Sequence, residues 1–200
     1  MSGRRRVKRF SRTERVLHWA NALGFFVLLA TGLILYLPDL AVAVGRRPLI
    51  KDIHFWSGVA WVSVLALVIL LGDRRGIART ARDLDGFDRD DLRWLTRRRP
   101  APQGRFNAGQ KLNAALTAAF TVLFLVSGLL LWLGERNTEF RFASTVLLHD
   151  GLMYVSLVLL FGHLYLAVLH PATRHALRGI TLGTVDEEWA AEHHAKWTPQ

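Results

Sequence analysis

The stretch that decides the fold is Val146-Leu147-Leu148-His149-Asp150-Gly151-Leu152-Met153-Tyr154-Val155-Ser156-Leu157-Val158-Leu159-Leu160-Phe161-Gly162-His163-Leu164-Tyr165-Leu166-Ala167-Val168-Leu169. A helix rises about 1.5 Å per residue, so about 20 apolar residues cross a hydrocarbon layer of about 30 Å. This run is long enough to do so. Ionisable groups inside a span are costly and point to function, and here two of them are histidines. At about 100° per residue, the fourteen steps from His149 to His163 make almost four turns. Both imidazoles therefore leave one face, about 40° out of register and about 21 Å apart along the axis.

Working outward, three further apolar runs cover Val16–Leu37, Ile53–Gly72 and Leu112–Leu133. None carries the polar stripe of a soluble amphipathic helix. The apolar content of 51% is concentrated in these four runs, which predicts an all-α integral membrane protein. It would be a four-transmembrane-helix bundle forming a single domain over residues 1–200. The first run follows a basic start and precedes Ala41-Val42-Ala43, as a signal peptide would. Its length and its His18 and Asn21 make it a retained span instead. The sequence offers no evident internal repeat and no low-complexity linker.

Charge placement gives the orientation. Of 26 Lys and Arg, 21 fall in residues 1–15, 73–111 and 170–200, and five in the connections 38–52 and 134–145. An even number of spans puts both termini on one side, and the positive-inside rule makes that side the cytoplasm. The net charge of +10 and the basic run Arg4-Arg5-Arg6-Val7-Lys8-Arg9 thus read as contacts to membrane lipid, with no nucleic-acid partner. In the 73–111 connection, Ile77, Ala81, Leu84, Leu92 and Leu95 share one helical face. An interfacial helix over 77–97 is one reading, weakened by Gly86, and a solvated charged loop is the other. The tail over 170–200 is polar, with Trp189, Trp197 and the pair His193-His194. Adjacent helical residues diverge by about 100°, which suits a surface docking tail better than a metal site.

No cysteine is present, which excludes disulfides, iron–sulfur ligation and covalent c-type haem. Histidine is the remaining candidate ligand. His18 opens span one on the inner side, and His54 opens span two on the outer side. His149 and His163 lie at the outer and inner levels of span four. Depth matching pairs His54 with His149 and His18 with His163. Two opposed imidazoles suit the axial positions of haem iron, so the expectation is two haem b groups, each with both axial sites filled and suited to electron transfer.

Gly24, Gly58, Gly151 and Gly162 offer either room for a flat macrocycle or ordinary close packing. Arg12, Arg15 and Lys51 are placed for haem propionates or as snorkelling flanks. His170 lies nearly on the face of His163 and is a rival ligand, but it precedes Pro171 at the end of the apolar run and reads first as a rim histidine at the inner interface; His175 is a weaker rival. In the alternative from another class, a haem-free membrane anchor, the histidines would pair with Asp150 or hydroxyls.

At these residues the chain resembles the gamma subunit of membrane-bound formate dehydrogenase, within the bacterial cytochrome b561 and nickel-hydrogenase cytochrome b family. The carrying segments are Val16-Leu17-His18-Trp19, Ile53-His54-Phe55-Trp56-Ser57-Gly58, Phe106-Asn107-Ala108-Gly109-Gln110-Lys111 and Leu147-Leu148-His149. His163-Leu164-Tyr165, Leu177-Arg178-Gly179 and Trp189 through His193-His194 continue the likeness. Phe55 departs from relatives that have proline after the histidine.

The resemblance implies that the four histidines ligate two haems in the pairing above. It also implies quinone reduction beside the inner haem by Asn107, Gly109, Gln110 and His163. Its partners would be an iron–sulfur beta subunit and a molybdenum or tungsten catalytic alpha subunit. A nickel–iron hydrogenase cytochrome or a free-standing b561 quinone oxidoreductase is the nearer alternative. From the residues alone, Asn107 and Gln110 read as an N-cap with a capping box. Their amides, with Lys111 or water as a proton source, also suit a quinone carbonyl.

Overall fold

The computed structural model describes residues 5–199, so Arg4 of the basic run lies outside the described residues. Helices dominate. The four long ones are α1 (Arg12–Tyr36), α3 (Arg47–Leu71), α6 (Ala108–Gly134) and α7 (Ala143–Leu164), the last continued by a π-helical turn, Tyr165–Leu169. Each is long and apolar enough to cross a membrane. The apolar runs thus sit in longer helices, save Leu37 and Gly72, which fall just past the ends of α1 and α3. Residues outside the runs, such as Arg47 and the first-turn Pro48 of α3, begin a helix before the hydrophobic stretch does.

Short elements fill the connections: α2 (Pro38–Val44), α4 (Arg74–Asp85), α5 (Arg89–Leu95), α8 (Leu177–Leu182) and α9 (Glu187–His193). The amphipathic stretch over 77–97 is therefore two helices instead of one. It breaks at Gly86-Phe87-Asp88, where Gly86 is in extended backbone. Asp88 then starts α5 through a reciprocal capping box with Asp91, and this local bonding outcompetes continuation of α4.

The chain divides into two compact units. The span unit comprises Val16–Gly72 and Phe120–Ser156. In it, Phe55 stacks on Trp132 at 4.9 Å, Lys51 pairs with Glu135, and the Tyr154 hydroxyl donates to that of Tyr36 at 2.6 Å. Trp61 lies buried where a Cβ on Gly24 would come within 2.1 Å of its ring.

The terminal unit holds the described residues up to Arg15, with Asp73–Ala119 and Leu157 onward. Strand β1 (Arg6–Lys8) runs antiparallel to β2 (Thr184–Asp186), with Val7 opposite a buried Val185. Gly183, at φ +87°, ends α8 in the left-handed region that glycine enters freely. Its carbonyl accepts from the amides of Arg9 and Phe10.

Arg105 donates to the Arg9 carbonyl and to Thr80 and pairs with Glu14 and Asp83. Lys111 forms a buried ion pair with Asp91 at 2.7 Å and donates to the Gly86 carbonyl. The tail packs within this unit. His194 is 2% exposed, and the Lys196 amide donates to the Gln103 carbonyl.

Candidate functional site

His54 on α3 and His149 on α7 face each other within the span unit, with ring centroids 6.3 Å apart and ring planes at 73°. A metal–imidazole bond of about 2.0–2.1 Å, plus about 1.1 Å from nitrogen to ring centre, sets opposed axial imidazoles about 6.3 Å apart. The observed spacing fits that requirement. Among the described residues no three of His, Asp or Glu gather as the ligands of a bare metal ion would. Two imidazoles are enough where a porphyrin supplies the equatorial nitrogens.

The other two long helices complete this pair. Thr31 Oγ1 of α1 lies 2.8 Å from His54 Nδ1, and Ser127 Oγ of α6 lies 2.8 Å from His149 Nδ1. The neighbouring glycines flank the same rings. A Cβ on Gly32 would stand 3.4 Å from His54 Cε1, and one on Gly128 would stand 3.5 Å from His149 Cε1. Larger side chains there would crowd the imidazoles.

None of these four residues is singled out by hydropathy or by histidine spacing. The signal that finds them is a parallel between two stretches. Thr31-Gly32-Leu33-Ile34-Leu35-Tyr36-Leu37 and Ser127-Gly128-Leu129-Leu130-Leu131-Trp132-Leu133 have matching chemistry position by position. Contrary to the expectation of no repeat, α1–α3 and α6–α7 each bring a hydroxyl–glycine pair to a histidine of the following long helix.

The glycines named from sequence behave differently. Gly24 accommodates Trp61, Gly58 meets Leu28 at an ordinary 3.7 Å, and Gly151 and Gly162 face nothing within 4 Å. Lys51 is engaged by Glu135, and Arg15 donates to the Thr181 carbonyl.

His18 is half-buried on α1 in the span unit, its ring edge-on to Trp19 at 5.3 Å. His163 is exposed, one residue from the end of α7, in the terminal unit. His149 and His163 are carried by α7 without a break, so the helical arithmetic between them applies. The same arithmetic fails for His170. The π-helical turn intervenes, and its amide bonds five residues back to Tyr165, which rotates it off the phase of His163. His170 packs beside Tyr165 and near Thr173.

At the start of α6, Asn107 and Gln110 cap the helix reciprocally. The Gln110 amide donates to Asn107 Oδ1 at 2.9 Å, and the Asn107 amide donates to Gln110 Oε1 at 3.1 Å. A Cβ on Gly109 would press on the Trp94 ring at 3.0 Å. Lys111 is held by Asp91 and Gly86.

The sequence does not single out Arg9. It is buried, donates to the Arg105 carbonyl and contacts His194 Nε2 at 3.0 Å. Its pKa is lowered to about 10 by burial and by the charge of Arg105.

Four helices able to cross a membrane, with a facing pair of imidazoles between two of them, define a membrane protein of the b-type cytochrome class. The chain belongs to the prokaryotic cytochrome b561 family, whose match spans residues 9–183, and membership implies haem b. It is 26% identical to the formate dehydrogenase cytochrome b556(fdo) subunit of Escherichia coli, covering 98% of this chain and 94% of that one. The formate dehydrogenase cytochrome b556 subunit of Haemophilus influenzae is 24% identical, over 96% and 82%. The nitrate-inducible formate dehydrogenase cytochrome b556(Fdn) subunit of Escherichia coli is 22% identical, over 98% and 92%.

Proposed function

We propose that this chain is the dihaem cytochrome b subunit of a respiratory formate dehydrogenase in a bacterial inner membrane. Its termini are cytoplasmic. It takes electrons from an iron–sulfur subunit and delivers them to quinone, while formate oxidation belongs to a separate molybdenum or tungsten subunit. The observation that carries the reading is the 6.3 Å spacing of His54 and His149, each backed by a hydroxyl. Haem b, when bound, would supply a one-electron carrier.

His54 and His149 would hold the outer haem, and His18 and His163 the inner one. Asn107, Gly109 and Gln110 form the quinone pocket. Capping and quinone binding use different atoms of the two amides. The oxygens cap α6, while a quinone carbonyl accepts only from donors, which are the amide NH2 groups. Gly109 lets the Trp94 ring approach this turn closely. The Lys111 ammonium fixes the turn through Asp91, which leaves water as the proton source.

Purification from the native membrane followed by subunit identification and a reduced-minus-oxidised spectrum tests the reading. A b-type α-band in a chain that copurifies with an iron–sulfur subunit and a formate-oxidising subunit is expected. A nickel–iron partner or an isolated haem-bearing chain would reassign the donor, and the lack of a b-type band would overturn the whole reading.

A further inference from the structure

We infer that Thr31 and Ser127 are positioning residues that fix the tautomer and raise the basicity of the two imidazoles. The inference rests on the assignment of His54 and His149 as an axial pair. A hydroxyl has one proton to give. Thr31 Oγ1 donates it to the Val27 carbonyl one turn back at 2.8 Å, with the Leu28 carbonyl at 3.2 Å. Ser127 Oγ donates to the Leu123 carbonyl at 2.6 Å, with the Phe124 carbonyl at 3.3 Å. Carbonyl oxygens only accept, so the hydroxyl protons are spent there. What each hydroxyl offers Nδ1 at 2.8 Å is a lone pair.

Nδ1 must then be the protonated nitrogen in both rings. A neutral imidazole has one N–H, which leaves the lone pair on Nε2, the nitrogen that an iron can take. The reverse tautomer would put a proton in the iron's place. An N–H donated to an oxygen also makes the ring a stronger electron donor toward metal. The back-bond from hydroxyl to carbonyl polarises that oxygen further. Stronger donation favours ferric over ferrous iron, so the two hydroxyls lower the midpoint potential of the haem between these rings. The parallel of Thr31-Gly32 with Ser127-Gly128 means that both axial sides are built alike.

Redox titration of the purified, haem-loaded protein tests this in Thr31→Val, Thr31→Ser and Ser127→Ala. Thr31→Val and Ser127→Ala should each move the midpoint of the same single haem to more positive potential and leave the other unmoved. Thr31→Ser should keep the unmodified value. Midpoints unchanged in both hydroxyl-deleting variants would overturn the inference, as would a Thr31→Ser shift as large as that of Thr31→Val. If Thr31→Val fails to retain haem, retention with a normal midpoint in Thr31→Ser supports the inference, and loss in both overturns it. His54→Ala separates the two levels. Both haems retained in that variant would refute the axial assignment. One haem lost there, with no shift in Thr31→Val, would refute the positioning role alone.

Discussion

His54 in the span unit and His194 in the terminal unit are held through the same ring nitrogen, yet their second nitrogens have different fates. His194 Nδ1 lies 2.6 Å from the Gly104 carbonyl and its Nε2 lies 3.0 Å from Arg9 Nη2. A guanidinium only donates and a carbonyl only accepts. His194 is therefore neutral, with its lone pair spent on Arg9. His54 gives its Nδ1 side to Thr31, and across from it stands another imidazole similarly backed. A histidine whose lone pair is consumed by a donor of its own chain cross-links the fold. One that is held at Nδ1 by a hydroxyl and stands 6.3 Å from a second imidazole can serve as a metal ligand.

The largest effect expected from this contrast is on haem content. His54→Ala and His149→Ala should each lose the same one of two haems, whereas His194→Ala should keep both. Haem-to-protein ratios measure it, and a haem lost from His194→Ala as readily as from His54→Ala would erase the distinction.

The next effect is on stability of the terminal unit. Replacing Lys111 by Met strands the Asp91 carboxylate, which has 3% exposure, and breaking such a buried pair costs about 3–5 kcal/mol. Denaturant midpoints in detergent should fall strongly for Lys111→Met and less for the double change with Asp91→Leu. Equal losses would show that the ion pair is not what the single change breaks.

In the span unit, Gly24→Ala drives a Cβ into the Trp61 ring, and overpacking of this kind costs about 1–3 kcal/mol. Gly58→Ala meets only an ordinary contact and should leave the thermal midpoint near that of the unmodified protein. A Gly24→Ala change as mild as Gly58→Ala would contradict the packing described.

The smallest effect is a pH slope. Burial, then the charge of Arg9, pushes the His194 pKa from 6.5 down to about 3. The unfolded chain therefore takes up this proton first. The stabilising contribution is complete above about 6.5 and declines as pH falls toward about 3. Thermal midpoints across that window should fall with acid and do so less steeply in His194→Gln. An unaltered slope in the variant would remove His194 as its source.

The sequence carried the four long helices because each holds an uninterrupted apolar run, and it put the histidines forward as candidates because ionisable groups stand out in such runs. It hid the hydroxyl–glycine pairs for the opposite reason. Thr31, Gly32, Ser127 and Gly128 are ordinary residues for a membrane helix, and the stretches around them match in chemistry more than in identity. The terminal unit was hidden because its order comes from long-range polar bonds. Arg9 with Arg105 and Lys196 with Asp88 join residues far apart in the chain, and no local periodicity announces such bonds. The phase of His170 was hidden because helical arithmetic assumes an unbroken α-helix, and the π-helical turn at Tyr165–Leu169 intervenes.

The most direct measurement is a density map of the purified protein at the level of His54 and His149. The account predicts a porphyrin between α3 and α7 with its iron joined to Nε2 of both rings, and Thr31 and Ser127 still at their Nδ1 atoms. Imidazoles joined to each other, to lipid or to protein groups, with no porphyrin between them, would contradict it.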